Sequence, residues 1–361
     1  MKVITRALEL IPEYDLRSIC KIQEMLLFDI ETTGLRKETT QVYLIGCVYY
    51  EAGTWYVRQW LTENVSDERL VLEDFLQFSS SYRLLLHFNG DSFDIPYLQY
   101  KAQFYQTETD LSGMDSFDIY QHARKARKLL GLKSMSQRSL EEYLGIFRED
   151  QLNGGLLIPV YYDYEKTGAS ESEHLLLLHN YDDLQGMIRI LPVLAYGQVF
   201  EGAYQFRGLE ECREEVILNY QLQAPVPKGI SACLQFHQPE DIRIRLDQDL
   251  LQIRIRCYEG SGRIPLENVS DYYYLVEEDR VIHKDVAQFV DRSKRVKATR
   301  KNCFLRKDGS FFPQLEPRIL PAYYLNTDKK QIYADREQFL AMEEPFWQQT
   351  AKDIFQRISS C

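Results

Sequence analysis

Acidic residues recur in three short segments of this chain, in an arrangement suited to holding divalent cations. Leu26-Leu27-Phe28-Asp29-Ile30-Glu31-Thr32-Thr33-Gly34-Leu35 supplies two carboxylates, Asp29 and Glu31. His87-Phe88-Asn89-Gly90-Asp91-Ser92-Phe93-Asp94-Ile95-Pro96 supplies Asp94. His179-Asn180-Tyr181-Asp182-Asp183 supplies Asp183, with a histidine four residues before it. Carboxylates gathered at one point repel one another and favour their protonated forms, unless oxygen-seeking cations such as Mg²⁺ or Mn²⁺ hold them together.

The surrounding residues are those expected of elements that aim such groups. Met25 to Phe28 is an apolar run leading into Asp-Ile-Glu. It predicts a strand with Asp29 and Glu31 on one face, broken by Thr32-Thr33-Gly34. Leu84 to Phe88 predicts a second buried strand. Asn89-Gly90-Asp91 reads as a turn, and Phe93 to Tyr105 as a helix carrying Asp94 in its first turn, where Pro96 is tolerated. His179 and Asp183, spaced i and i+4, share one face of a helix.

These residues resemble the DEDD superfamily of 3′–5′ exonucleases, whose fold is RNase H-like. The motifs are Asp-x-Glu, then Asn-Gly-x-x-Phe-Asp, then a histidine or tyrosine followed by x-x-x-Asp. The YprB-like group of bacterial RNase H-like domains is most similar. That likeness takes in Asp118-Ile119-Tyr120-Gln121-His122-Ala123-Arg124, Ser139-Leu140-Glu141-Glu142-Tyr143-Leu144-Gly145 and Ile158-Pro159-Val160-Tyr161-Tyr162-Asp163-Tyr164. It covers about residues 22–200. It implies two metal ions, Mg²⁺ or Mn²⁺, on Asp29, Glu31, Asp94 and Asp183, with His179 orienting or deprotonating water. It also implies that Asn89 and the stretch Thr32, Thr33, Gly34 and Leu35 position a terminal nucleotide. One departure stands out. Histidine-type members place their histidine five residues before the last aspartate and tyrosine-type members use four, whereas this chain has His179 at the tyrosine-type spacing. Tyr181, two residues before Asp183, falls on another helix face.

The chain has 361 residues, of which 45% are hydrophobic and 27% charged, an ordinary globular composition long enough for two domains. No apolar run reaches membrane-spanning length, and the N-terminus lacks a signal-peptide core. Seven scattered cysteines with no CxxC pair point to reduced thiols in the cytoplasm and no zinc site. The net charge of −11 is uneven. Residues 201–361 hold 24 basic and 25 acidic side chains, and residues 1–200 hold 19 and 29. The acidity therefore lies in the half that carries the carboxylates.

Strand–helix alternation follows an antiparallel start, with strands expected at 25–30, 42–50 and 55–61, a helix at 67–78 and a fifth strand at 114–117. This predicts an α/β domain over residues 1–204, a mixed sheet flanked by helices. Ser139 and Glu142 read as a capping box, and residues 179–199 as a helix kinked by Pro192. Beyond about residue 205 the hydrophobic period becomes two. Residues 242–246 and 251–256 flank Asp247 to Asp249 as a hairpin. Further strands are expected at 216–222, 232–236, 272–276 and 322–325, and a last helix at 336–358. Residues 205–361 are thus a smaller β-rich α+β domain.

Two basic stretches are candidates for a phosphate backbone. Residues 292–307 hold eight Lys or Arg and no acid, with Lys294, Arg295, Lys297, Arg300 and Lys301 at the centre. The plainer reading is a solvated face balancing Glu277, Glu278 and Asp279. Arg124, Lys125, Arg127 and Lys128 lie at helical spacing, and an exposed helix face explains them as well. Tyr161-Tyr162-Asp163-Tyr164 and Tyr272-Tyr273-Tyr274 could stack bases, although such runs more often pack a core.

The leading expectation is a metal-dependent exonuclease that hydrolyses DNA or RNA from a 3′ end, with nucleic acid as partner and no membrane association. One alternative is an RNase H-like protein that binds nucleic acid without cutting. Another is an endonuclease using the same site. Taken singly, Asp29 could cap a turn, Asp94 could answer a helix N-terminus and Asp183 could be a surface acid. Their occurrence together and in order favours the metal site.

Overall fold

The computed structural model describes residues 1–9, 12–149, 154–236, 241–325 and 331–360. Contacts divide the chain into two units, Met1–Gln198 and Val199–Cys361.

The first unit is built on one six-stranded sheet. Its strands are β1 (Lys2–Leu8), β2 (Met25–Thr32), β3 (Val42–Glu51), β4 (Thr54–Leu61), β5 (Leu84–His87) and β6 (Asp115–Asp118), in the order β1-β4-β3-β2-β5-β6. β1, β4, β3 and β2 pair antiparallel, and β2, β5 and β6 pair parallel. The β3–β4 turn is Ala52-Gly53, both at positive φ, the backbone that a two-residue hairpin requires. β2 is central and covered on both faces, which is why Met25 to Phe28 are all fully buried.

Helices follow the strands, and those at 68–79, 94–105, 154–167 and 170–189 pack on the sheet. The helices are α1 (Glu68–Ser79), α2 (Asp94–Tyr105), α3 (Ile119–Ala123), α4 (Gln137–Leu144), α5 (Gly154–Thr167), α6 (Ser170–Arg189) and α7 (Leu194–Phe200). Phe28 and Trp60 of the sheet pack with Phe75 of α1 and Leu98 of α2 in one core. Leu44 and Leu61 pack with Leu157 and Tyr161 of α5 and Leu176 of α6 in another. Asp29 lies opposite Gly46, and Glu31 opposite Leu44. The strand alternation therefore turns both acids to the face that carries α6.

Several local expectations need correction. The cap of α4 is Ser136, whose side chain accepts from the Ser139 amide, so Ser139 sits inside the helix instead of starting it. α6 begins at Ser170, nine residues before the expected start, because polar residues in its first turns hide its apolar period. It ends at Arg189, and a short 3-10 turn containing Pro192 leads into α7. Tyr161 and Tyr164 are buried on helix α5, while Tyr162 is exposed.

In the second unit, β7 (Tyr204–Glu211), β8 (Glu215–Leu222), β9 (Ile230–Leu234), β10 (Ile242–Asp247) and β11 (Leu250–Arg256) form an antiparallel sheet in the order β7-β8-β11-β10-β9. The β10–β11 hairpin buries Ile242, Ile244 and Leu246 and leaves Arg243 and Arg245 exposed. β12 (Tyr258–Pro265), β16 (Phe304–Gln314) and β17 (Ile332–Asp335) form a second sheet. β13 (Tyr272–Leu275), β14 (Arg280–His283) and β15 (Arg295–Lys297) form a third. After α8 (Lys284–Ala287), the expected final helix is two: α9 (Arg336–Leu340) and α10 (Glu344–Ser360). Trp347 and Phe355 of α10 pack on Phe206 and Tyr204 of β7. Residues 322–325 contribute only isolated bridges through Tyr323 and Tyr324. No helix among the described residues is long and apolar enough to cross a membrane.

Candidate metal centre

The four carboxylates and the histidine converge. Asp29 and Glu31 project from β2. Asp94 opens α2, and its Oδ1 accepts from the Ile30 amide at 3.3 Å, which ties the helix start to the strand between the two acids. On α6, His179 Nε2 lies 3.5 Å from Glu31 Oε1 and 3.2 Å from Asp183 Oδ2. Ligand atoms of Glu31, His179 and Asp183 all fall within 4.8 Å of one another. Glu31, Asp94 and His179 are each less than a tenth exposed.

The charges are uncomfortable. Burial raises the Asp29 carboxyl well above its ordinary value, and repulsion from Asp183, Glu31 and Asp94 adds to this. Burial pushes Glu31 up to about 8, with His179 offsetting part of the shift and Asp183 adding to it. Asp94 is pushed up to about 7, chiefly by burial and against the backbone hydrogen bonds it accepts. Asp183 is raised by burial in spite of Arg148. Divalent cations would relieve both the desolvation and the repulsion. The all-oxygen carboxylate set suits Mg²⁺ or Mn²⁺.

Two donors, half-buried Arg148 and fully buried Asn180, hold the rim of the cluster. Arg148 Nη1 donates to Asp183 Oδ1 at 2.5 Å, and its other nitrogens bind Glu141, which is 1% exposed. Asn180 Nδ2 donates to Asp29 Oδ2 at 3.0 Å. Neither residue stands out in the motifs, although Asn180 lies inside one of them. Gln59, which supports Asn180 at 2.9 Å, does leave a signal. It is a polar residue at the core parity of β4, between Val57 and Leu61.

The other candidates separate. Thr32 Oγ1 donates to the Gly34 carbonyl, Thr33 Oγ1 accepts from the Gln41 amide, and Leu35 is 84% exposed just past β2. Asn89 has φ +61, and its amide donates to Asp118 Oδ1 at 2.8 Å. Tyr181 lies under the Arg6 guanidinium, 3.9 Å from ring centroid to Cζ. Arg124, Lys125, Arg127 and Lys128 are exposed.

The basic run in the second unit is partly neutralised. Lys294 pairs with Glu277 at 3.6 Å, Arg306 with Asp279 and Lys307 with Asp335, both at 2.5 Å. Arg295 binds the Ala287 carbonyl and lies over Tyr273. Lys297, Arg300 and Lys301 are exposed and have no ion pair among the described residues. A second group in the first unit, His87, Asp91 and Asp118, also brings ligand atoms together. Both His87 nitrogens are already engaged, Nδ1 by the Gly90 amide at 3.0 Å and Nε2 by Ser116 Oγ at 2.8 Å.

A family model agrees with this topology. Residues 26–195 match the model of the RNase H superfamily, and the mixed sheet flanked by helices in this part of the chain is RNase H-like in fold. No curated protein matches the sequence. Among solved structures, the chain is similar to the family B DNA polymerase of the hyperthermophilic archaeon Pyrobaculum calidifontis. Identity is 13% and the TM-score 0.36, over 66% of this chain and 33% of the polymerase, so the match spans about a third of that protein. It is also similar to product-bound exonuclease I, at 10% identity and a TM-score of 0.32, covering 93% of this chain and 72% of that one. For the metal-free complex of E. coli exonuclease I with single-stranded DNA, identity is 10% and the TM-score 0.31, covering 93% and 71%.

Proposed function

We propose that the chain is a metal-dependent 3′–5′ exonuclease that hydrolyses phosphodiester bonds of DNA or RNA. The observation carrying this reading is the meeting of Asp29, Glu31, Asp94 and Asp183 with His179 on the α6 face of β2. The four carboxylates would hold two Mg²⁺ or Mn²⁺ ions, which supply charge neutralisation and Lewis-acid activation for phosphodiester hydrolysis. His179 Nε2, set between Glu31 and Asp183, takes up or orients the proton of the attacking water. Leu35 and the turn after β2 meet the terminal nucleotide, and Asn89 helps to place it. Arg124 and Lys128 hold the incoming strand. Residues 205–361 add nucleic-acid affinity through Lys297, Arg300 and Lys301, with Lys294 and Arg295 contributing less because they have internal partners. The protein works in the cytoplasm.

The test uses 5′-labelled single- and double-stranded DNA and RNA with Mg²⁺ or Mn²⁺, comparing wild type with Asp29→Asn. Stepwise shortening from the 3′ end, lost in the variant, is the expected result. Internal fragments would identify an endonuclease on the same residues. Tight binding without cleavage by the wild type would overturn the enzymatic reading.

A further inference from the structure

Asp29 sits at the end of a row that crosses the sheet. It lies opposite Gly46 on β3, and Gly46 lies opposite Gln59 on β4. The three residues therefore share one face. The middle position has no side chain, and a Cβ built on Gly46 would fall 1.9 Å from Asn180 Oδ1. The Asn180 carboxamide, reaching down from α6, occupies that gap and bridges the residues on either side. It donates from Nδ2 to Asp29 Oδ2 at 3.0 Å and accepts at Oδ1 from Gln59 Nε2 at 2.9 Å.

The direction of each bond follows from the far end of the chain. Arg6 has only donors, so Gln59 Oε1 must be the acceptor of its 2.8 Å hydrogen bond. Gln59 Nε2 is then the donor, to Asn180 Oδ1 and to the Leu177 carbonyl at 2.9 Å. Asn180 Nδ2 is in turn left to donate to the carboxylate. An amide flip at either residue would set like groups against each other inside a site where Gln59 and Asn180 are both 0% exposed. A buried amide facing the wrong way loses its hydrogen bonds without water to replace them.

We infer that Asn180 is a positioning residue for Asp29. Oriented by Arg6 and Gln59 and admitted by Gly46, it commits Oδ2 of the carboxylate to the protein and leaves Oδ1 as the oxygen offered to a divalent cation. This rests on the metal reading proposed above. Partners of this kind, one shell out from a cation, fix the angle at which a ligand is presented, and losing one typically weakens metal affinity by about 10–100-fold.

The test is calorimetric titration of Mn²⁺ into the full chain without nucleic acid, for wild type, Asn180→Leu, Gln59→Leu and Asp29→Asn. Circular dichroism confirms folding of each. Asn180→Leu is expected to weaken Mn²⁺ binding about tenfold, Gln59→Leu less, and Asp29→Asn at least as much as Asn180→Leu. In hydrolysis assays, half-saturating Mn²⁺ should rise for Asn180→Leu while the rate at saturating Mn²⁺ returns most of the way to wild type. A role confined to tying α6 to the sheet would lower the melting temperature and leave Mn²⁺ affinity unchanged. Unchanged affinity in Asn180→Leu, with Asp29→Asn weakened, overturns this inference alone. Unchanged affinity in Asp29→Asn overturns the metal reading and this inference with it. Should Asn180→Leu not fold, Gln59→Leu decides, and unchanged Mn²⁺ binding there rejects the positioning role.

Discussion

Replacing Glu31 with glutamine should stabilise the metal-free protein, and only above a definite pH. Burial and the neighbouring acids hold the Glu31 carboxyl at about 8, against an ordinary value of 4.5. Between those values the folded state keeps a proton that the unfolded state has released. Stability therefore falls as pH rises through this window, by at most about 1.4 kcal/mol per pH unit for one group. From pH 5 to 7.5 the ceiling is about 3 kcal/mol, and sharing of protons among Asp29, Glu31, Asp94 and Asp183 reduces it to about 1–3 kcal/mol. Glutamine has no proton to hold, so Glu31→Gln should match wild type near pH 5 and exceed it by that amount at pH 7.5. The assay is urea unfolding with a chelator present at pH 5, 6, 7 and 7.5, comparing midpoints at equal slope. Millimolar Mg²⁺ or Mn²⁺ should close the gap at pH 7.5 by stabilising wild type more than the variant. A difference that does not change with pH, or a variant less stable at pH 7.5, would refute the crowded-carboxylate account.

Other consequences follow from the same geometry. His179→Ala should slow hydrolysis by about 10²–10⁴ while Mn²⁺ affinity, read by calorimetry, stays within a few-fold; His179→Tyr should recover part of the rate, since the spacing to Asp183 is the tyrosine-type one. Arg148→Ala strands buried Glu141 without its partner and should cost about 3–5 kcal/mol in denaturant unfolding at pH 7.5, whereas Arg148→Met combined with Glu141→Leu should restore most of it. Changing Lys297, Arg300 and Lys301 to Ser should lower the slope of log affinity against log salt by about 0.7–0.9 for each phosphate these side chains neutralise. The same change at Lys294 should do less, because Glu277 already pairs with it.

The convergence of the candidate residues was legible because each relation between them is local. Asp29 and Glu31 alternate on a strand, Asp94 opens a helix after a turn, and His179 and Asp183 are one helical turn apart. Each relation holds within ten residues. Gln59, Gly46 and Arg148 were not legible in the same way, because their roles exist only across strands or between helices. Gln59 pairs with Gly46 through sheet register, and Arg148 reaches Asp183 35 residues away. Capping failed at α4 for a related reason. Ser136 and Ser139 are both competent caps three residues apart, and it is the Ser136 side chain that accepts from the Ser139 amide. In the second unit the clear period-two hairpin β10–β11 was readable. β12 and β16 were not, because Gly260, Gly262 and Gly309 leave no alternating pattern across their pairing.

A crystal soaked in Mn²⁺ with an oligonucleotide whose terminal phosphodiester resists hydrolysis, probed by anomalous diffraction at the manganese edge, tests the metal centre itself. Anomalous peaks are expected ringed by Asp29, Glu31, Asp94 and Asp183, with the 3′-terminal phosphate against them and His179 at their rim. Manganese absent from these carboxylates, or found only at His87, Asp91 and Asp118, would contradict the metal reading.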